Sequence, residues 1–172
     1  MVTEIVGDEL ELLKQRIISN IVASGQVASG QTIASLYVEE RADGGALKFH
    51  GQMPFGVLET GRKPGRVPYG FRDIIYRWMQ DKGVHATPIP YKRPGLHKYS
   101  EQERGDRSLA GAIAHVIAKG SERVPYGGTK LYRDGGRKDI YSNEIPVTVA
   151  NIRSKMLAVM NAEVMKSIKI NR

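Results

Sequence analysis

"LYVEERADGGALKFHG", residues 36–51, is the stretch that decides between an all-helical chain and a mixed one. Apolar and polar side chains alternate over positions 36–39, which is the period of a strand with one buried face. Asp43, Gly44 and Gly45 follow as turn formers, and residues 46–50 read as a returning strand. The stretch therefore predicts an antiparallel hairpin.

Long amphipathic helices are predicted on either side of this hairpin, near the two ends of the chain. The first runs from about Gly7 to Ser24, with Gly25 as its C-cap, and the last runs from about Val147 to Ile168. In both, apolar residues recur every three or four positions. They are Leu10, Leu13, Ile17 and Ile21 in the first helix, and Val149, Ile152, Met156, Met160, Val164 and Ile168 in the last.

Two further helices are predicted in the middle of the chain. In "YGFRDIIYRWMQDKG", residues 69–83, four apolar residues fall on one face, and we expect Trp78, with Ile74 and Ile75, to anchor the core. In "DRSLAGAIAHVIAKG", residues 106–120, Asp106 suits an N-cap and Gly120 a C-cap. The small residues of this second helix, Ala110, Gly111, Ala112 and Ala114, allow another backbone to approach closely.

These elements predict one α+β domain over residues 1–172. A small, mainly antiparallel sheet packs against three or four helices, of which the first and last are the longest. Extended Gly/Pro loops connect them, chiefly over residues 53–70, 84–106 and 126–145. Loops of that length inside a domain are uncommon and are usually functional or mobile.

The charge balance points to polyanionic partners. The formal net charge is +8 and the isoelectric point is near 9.7, which favours nucleic acid, an acidic protein surface or an anionic membrane. The sequence contains no cysteine, which removes disulfides and thiolate sites. We also expect a protein made in a cytoplasm and not bound to a membrane, because no apolar run is long enough to span one and the N-terminus is unlike a signal peptide.

The common catalytic and cofactor patterns are missing from the sequence. Neither Gly-rich loop has the spacing of a phosphate-binding loop, and no nucleophile elbow is present. His85 and His97 share a loop and are the best pair for a metal, yet their spacing fits no known ligand pattern. An acidic trio, Asp134, Asp139 and Glu144, suits turn caps and salt bridges. We therefore expect no catalytic residue, no cofactor and no metal.

Basic residues on the loops are the remaining functional signal. One group surrounds Glu59, a second lies in the loop after residue 84, and a third follows residue 130. Such loops are able to grip phosphates, line a channel or meet acidic neighbours. The groups are Arg62, Lys63, Arg66 and Arg72; Lys92, Arg93 and Lys98; and Arg133, Arg137 and Lys138.

The order of four motifs resembles the neck or tail-completion proteins of tailed bacteriophages, which join the phage head to its tail. "ASGQTIASLYVEE" (28–40) matches the turn into a strand, and "VLETGRKPG" (57–65) matches a V-E-x-G-T-x-P hallmark. "IIYRWMQDKG" (74–83) and "LAGAIAHVIAKGSERVPYGG" (109–128) match the two helices that follow. The resemblance covers nearly the whole chain.

This resemblance implies a structural virion protein without enzymatic activity, made in the bacterial cytoplasm. It implies a ring of six or twelve copies around the DNA passage, in contact with neighbouring connector and tail proteins. Non-specific contact with passing DNA would then use backbone charge alone. The loop near the subunit contacts or the lumen would include Glu59, Gly61, Arg62, Lys63 and Arg66.

Two other functions stay open on the sequence. One is a small nucleic-acid-binding module acting as a monomer or dimer, because Tyr69, Tyr91 and Tyr99 interleave with basic residues and are able to stack on bases. The other is a small hydrolase or nuclease whose site has no familiar pattern.

Overall fold

The fold is described from a computed structural model, in which residues 2–41, 44–50, 56–93, 95–121, 126–135 and 139–170 are placed. The chain divides into two compact units. Unit 1 combines Met1–Pro54 with Lys138–Arg172, and unit 2 is the continuous segment Phe55–Arg137. The prediction of one domain with a neck-like fold stays a prediction.

Unit 1 contains the hairpin and the two long helices. Its elements are α1 (Val2–Ala23), α2 (Gln31–Ala34), β1 (Leu36–Glu39), β2 (Ala46–Phe49) and, near the C-terminus, α7 (Glu144–Ile170). Unit 2 is helical in its described residues. Its elements are α3 (Gly56–Thr60), α4 (Phe71–Asp81), α5 (Glu101–Lys119) and α6 (Lys130–Arg133).

The predicted fold class is confirmed. The described residues form seven helices and a two-stranded antiparallel sheet, a small α+β fold with long terminal helices. Three of the seven helices have only four or five residues, which is why periodicity did not indicate them.

The hairpin forms with the predicted strands and packs on α1. Leu36 pairs with Phe49 and Glu39 pairs with Ala46. Both turn glycines have positive φ, 125° for Gly44 and 145° for Gly45, and a Cβ atom on Gly45 would lie 3.2 Å from the Leu10 side chain of α1. The close approach of the turn to the helix therefore favours glycine. Asp43, predicted for the same turn, lies outside the described residues.

Helix α1 buries most of its predicted stripe and ends as predicted. Leu13, Ile17 and Ile21 are buried, whereas Leu10 is half-buried. Gly25 has a φ of 70° and donates to the carbonyl of Val22, while the next N–H donates to the carbonyl of Ile21. This pair of hydrogen bonds is the Schellman motif, which satisfies carbonyls at a helix end.

The core of unit 2 lies between α4 and α5. Ile75 and Met79 of α4 are buried against Ala110 and Ala114 of α5. The two small residues let the helix backbones approach closely, as the sequence suggested for them.

The prediction that Trp78 and Ile74 are core anchors was wrong, and only Ile75 of that trio is buried. Trp78 is 41% exposed and Ile74 is 46% exposed. Helix α4 turns the side centred on Ile75 and Met79 toward α5, so Phe71 and Tyr76 flank the contact. The apolar arc of α4 is wider than the contact, and its far edge stays in solvent.

The predicted start of α5 was also wrong. The N-cap lies six residues earlier, at Ser100, whose hydroxyl accepts a hydrogen bond of 3.0 Å from the N–H of Glu103. Asp106 is therefore inside the helix and is only 2% exposed. Ser100 and Glu103 have the Ser-x-x-Glu spacing of a helix start, which sequence reasoning overlooked inside the long loop.

Helix α7 is longer than predicted, and its predicted apolar face is only partly covered. Ile152 and Met156 are half-buried, but Val149, Met160, Val164 and Ile168 are each more than half exposed. The face that contacts α1 carries polar residues as well, including buried Thr148.

Candidate functional site: the basic loop of unit 2

The basic loop, defined as residues 61–70, is attached to the C-terminal end of α5. The N–H of Gly65 donates to the carbonyl of Ala118 at 2.9 Å, and the N–H of Gly128 donates to the carbonyl of Ile117 at 2.7 Å. Two glycine-containing loops thus satisfy carbonyls that the helix leaves without internal partners.

The two loops also bind each other. The N–H of Arg62 donates to the Thr129 hydroxyl at 2.9 Å, and the N–H of Thr129 donates back to the carbonyl of Arg62 at 2.9 Å. A Cβ atom on Gly61 would lie 2.5 Å from the backbone nitrogen of Tyr132, and one on Gly128 would lie 2.8 Å from the carbonyl oxygen of Arg62. Glycine is required at both positions because two backbones meet there.

This geometry disfavours a phosphate cradle. A helix attracts anions at its N-terminus, where free N–H groups and the positive end of the dipole are found. These loops lie at the opposite, negative end of α5, and the N–H groups of Gly65 and Gly128 already donate to helix carbonyls. Any attraction for an anion here must come from side chains.

The predicted cations of this loop differ in role. Arg62 is half-buried, donates to the carbonyl of Arg66 at 2.8 Å and lies over the Phe71 ring at 5.3 Å, so its guanidinium holds the loop together. Lys63 and the side chain of Arg66 are exposed and make no ion pair with the described residues. Glu59 is buried, at 2% exposure.

Aromatic rings near the cations also fall into two groups. Arg104 covers the Tyr91 ring at 4.7 Å, and Arg107 covers the Tyr99 ring at 4.5 Å. The Tyr91 ring stacks in addition on His97, with 3.5 Å between centroids. Tyr69, in contrast, is fully exposed on the basic loop. It is therefore the best placed of the three predicted tyrosines to stack on a ligand.

Asp106 forms a second polar centre that sequence reasoning missed. Its carboxylate accepts hydrogen bonds from the N–H of Ala86 at 2.7 Å, from Gln102 at 2.9 Å and from Gln80 at 3.4 Å, and His85 Nδ1 lies 3.0 Å away. The Ala86 N–H first, and then the His85 ring, lower the pKa of Asp106 to about 2. This centre fastens the segment after α4 to α5.

The predicted histidine pair does not form a common site. His85 bonds Asp106, whereas His97 stacks on Tyr91 and contacts the carbonyl of Arg93. The acidic trio is likewise divided between the units, with Asp134 in unit 2 and Glu144 in unit 1. Glu144 is the salt-bridge partner that the sequence suggested, since its carboxylate lies 3.0 Å from Nε of Arg16.

The other predicted basic groups are only partly free. Arg72 donates to the carbonyl of Arg107 at 3.1 Å, and Arg133 donates to the carbonyl of Gly128 at 3.3 Å. Lys98 lies over the Tyr99 ring at 5.2 Å. Lys92 and Arg93 are exposed, with no ion pair to the described residues. Arg137 and Lys138 lie outside the described residues.

The net charge of the chain belongs entirely to unit 2. Over Phe55–Arg137 the sequence has 16 Lys and Arg against 8 Asp and Glu, whereas the two segments of unit 1 together have 10 of each. The formal charge of +8 is thus carried by about half of the residues. A polyanion would be attracted to unit 2 much more than to unit 1.

None of the helices in the described ranges has the length and apolar character needed to cross a membrane. No protein-family model, no curated protein and no solved structure matches this chain.

Proposed function

We propose that this chain is a structural virion protein that assembles into a ring around DNA at the head–tail junction of a bacteriophage. The observation that carries the proposal is the basic loop: its backbone is fixed to the end of α5, while the side chains of Lys63 and Arg66 are exposed and make no ion pair with the described residues. Exposed cations on a fixed backbone suit contact with a DNA backbone, which needs charge and no sequence readout.

Two features support assembly in addition to DNA contact. The order of motifs along the chain resembles the neck and tail-completion proteins, and both "VLETGRKPG" and "LAGAIAHVIAKG" contribute residues to the junction between the basic loop and α5. Unit 1 is electrically balanced, so copies of the protein are able to meet through it without charge repulsion.

The experiment removes only these two exposed cations of the basic loop. Lys63→Ser/Arg66→Ser keeps Arg62, whose guanidinium fastens the loop. The control is Lys14→Ser/Lys166→Ser, which removes the same charge from two lysines already paired with Glu11 and Glu163. Assembly is measured by sedimentation and electron microscopy, and DNA affinity is measured over a range of salt concentrations.

We expect the loop variant to form rings and to bind double-stranded DNA with a log–log salt slope smaller by about 2, because two phosphate contacts are lost. The control variant should keep the parental slope. Loss of the rings, with the fold retained, would mean that these cations bind a neighbouring subunit at a seam. Parental assembly and parental salt dependence in the loop variant would contradict the proposal.

A second candidate is a nucleic-acid-binding module acting as a monomer or dimer, which the uncovered Tyr69 ring favours. Under this function, Tyr69→Ala weakens binding of single-stranded DNA by about tenfold, since stacking on one base contributes about 1–3 kcal/mol. Tyr91→Ala serves as the comparison, because its ring is already covered by Arg104 and His97. The second candidate is excluded if the protein forms rings that bind only duplex DNA and Tyr69→Ala does not change DNA binding.

A further inference from the structure

Helix α7 packs on α1 through one side only. Lys155 Nζ lies 2.7 Å from the carboxylate of buried Glu9, and Arg16 donates to the Thr148 hydroxyl at 2.7 Å. These contacts define an antiparallel pair, because the residue number rises along α7 as it falls along α1. The side of α7 that carries Thr148 and Lys155 is therefore the α1-facing side.

The opposite side of α7 is apolar and uncovered. At 100° per residue, Leu157, Met160, Val164 and Ile168 fall within an arc of about 80°, roughly opposite Thr148 and Lys155. Each is about half exposed, from 49% for Leu157 to 60% for Met160. We name these four residues the outer stripe. A helix that is apolar on two sides is normally packed on both.

The end of α7 also extends past its partner helix. Since Glu9 is level with Lys155 and Arg16 with Thr148, the first residue of α1, Val2, is level with about position 162. The last two turns of α7, from about position 163, therefore lie beyond the start of α1. The outer stripe continues into this extension through Val164 and Ile168.

We propose that the outer stripe binds the outer stripe of a second copy of this chain, with the two α7 helices antiparallel. The charges beside the stripe argue for this occupant. Arg153 is exposed, lies in line with the stripe and makes no ion pair with the described residues, and Glu163, whose ion pair among the described residues is with Lys166 of the same helix, lies beside the Met160 edge of the stripe. In an antiparallel pair with Leu157 of one copy opposite Met160 of the other, Arg153 of each copy lies beside Glu163 of the other. The contact then contains two equivalent Arg153–Glu163 pairs.

Electrostatics favour the same arrangement over its alternatives. A parallel pair would set Arg153 beside Arg153 and leave both charges without a partner. Contact between copies through unit 2 would bring two charges of +8 together, whereas unit 1 carries no net charge. The two-fold contact closes on itself, so it is separate from the ring proposed above and does not depend on Lys63 or Arg66.

Sedimentation and light scattering test the contact in the full-length chain. Leu157→Glu should weaken self-association at least tenfold, because it places a carboxylate at the centre of the apolar contact. Leu12→Glu is the matched control: it changes a leucine of α1 that is 48% exposed, against 49% for Leu157. Circular dichroism verifies that both variants are folded.

A charge exchange tests the pairing itself. Arg153→Glu and Glu163→Arg should each weaken association, and the double variant Arg153→Glu/Glu163→Arg should restore it. A monomer at all accessible concentrations, equal effects of Leu157→Glu and Leu12→Glu, or no recovery in the double variant would overturn the proposal.

Spin labels test the orientation, because the chain has no native cysteine and one introduced cysteine is labelled uniquely. In the antiparallel pair, the two backbones at Ser154→Cys are about 16 Å apart and those at Ser167→Cys about 27 Å apart. A parallel pair gives nearly equal distances at the two sites, which would contradict the proposal. Leu157→Glu should leave the rings proposed above intact. Loss of the α7 contact with intact rings therefore does not contradict the proposed function.

Discussion

Unit 1 has equal numbers of basic and acidic residues, whereas unit 2 has twice as many basic residues as acidic ones. In unit 1, the Glu9–Lys155 and Arg16–Glu144 pairs join α1 to α7, and Glu39 binds both Arg41 and Lys48. In unit 2, exposed cations such as Lys63 and Arg66 have no carboxylate partner among the described residues. The net charge of the whole chain therefore comes from unit 2 alone. The composition of the whole chain does not show this division.

Both units also leave apolar side chains exposed, but in different arrangements. Unit 1, which is electrically balanced, leaves the outer stripe of α7 uncovered, whereas unit 2 buries the centre of its α4–α5 contact and exposes Trp78 and Ile74 at the edge of α4. Apolar faces associate with other proteins, and exposed cations attract polyanions. The comparison thus separates two surfaces that variants are able to test independently.

The largest effect is expected from the core of unit 2. Met79→Ala removes a side chain with no exposed surface and should lower the free energy of unfolding by about 2–5 kcal/mol. Trp78→Ala, at the neighbouring position, should cost less than about 1.5 kcal/mol, because Trp78 is 41% exposed. Urea denaturation followed by circular dichroism measures both. Equal costs would contradict the orientation of α4.

Gly105 and Gly111 of α5 give the next contrast. A Cβ atom on Gly105 would collide with the carbonyl oxygen of Thr87, so Gly105→Ala should cost about 3 kcal/mol as the segment after α4 is displaced. A Cβ atom on Gly111 would lie 3.6 Å from Nε of Arg72, an ordinary contact, so Gly111→Ala should stabilise by up to about 1 kcal/mol. Trp78, the only tryptophan, reports on unit 2 by its fluorescence. Destabilisation by both variants would argue against this contact.

Acid should weaken unit 2 through Asp106. The folded pKa is about 2 and the ordinary value is 3.8, so the carboxylate stabilises the fold above about pH 4 and loses this effect as the pH falls through 2. The loss is on the order of 2 kcal/mol. Asp106→Asn should be less stable at neutral pH and should lack this part of the pH dependence. Urea denaturation followed by tryptophan fluorescence at several pH values measures the free energy of unfolding of both proteins. The same pH dependence in Asp106→Asn and the parent protein would contradict the prediction.

The smallest of these effects concerns unit 1. Lys155→Ala leaves the buried Glu9 carboxylate without its cation and should cost about 1–2 kcal/mol, because water reaches the half-exposed lysine position. Lys166→Ala breaks an exposed pair with Glu163 and should change stability by no more than about 0.5 kcal/mol. Far-UV circular dichroism, to which α1 and α7 contribute 22 and 27 helical residues, follows this transition. A response of Trp78 fluorescence to Lys155→Ala would show that the two units unfold together.

Regular elements were predictable because their periodicity is strong. The alternation over 36–39 and the turn glycines predicted the hairpin, and the spacing of Leu13, Ile17 and Ile21 predicted α1. Which part of an apolar arc is buried was not predictable, since that depends on how the partner helix is placed. Trp78 shows this limit, because its helix was predicted correctly and its burial was not.

The candidate site was predictable in composition but not in arrangement. The cations and glycines of residues 61–66 were identified from the sequence, yet the hydrogen bond from Gly65 to the carbonyl of Ala118 joins positions more than 50 residues apart. Asp106 was identified as a polar residue at a helix start, and its role within α5 follows from contacts with Ala86 and His85. Contacts between distant positions leave no periodic signal in the sequence.

The division of the chain into a continuous unit and a divided one has a consequence for the order of folding during synthesis. Unit 2 is complete once residue 137 has been made, and its contacts between α4 and α5 are close in sequence, which favours fast folding. The partner of α1 in unit 1 is α7, which is synthesised after the whole of unit 2. The residues of α1 that face α7, among them Glu9 and Arg16, therefore wait until unit 2 and α7 have been made. Helix α1 is thus made before unit 2 but reaches its final packing after it.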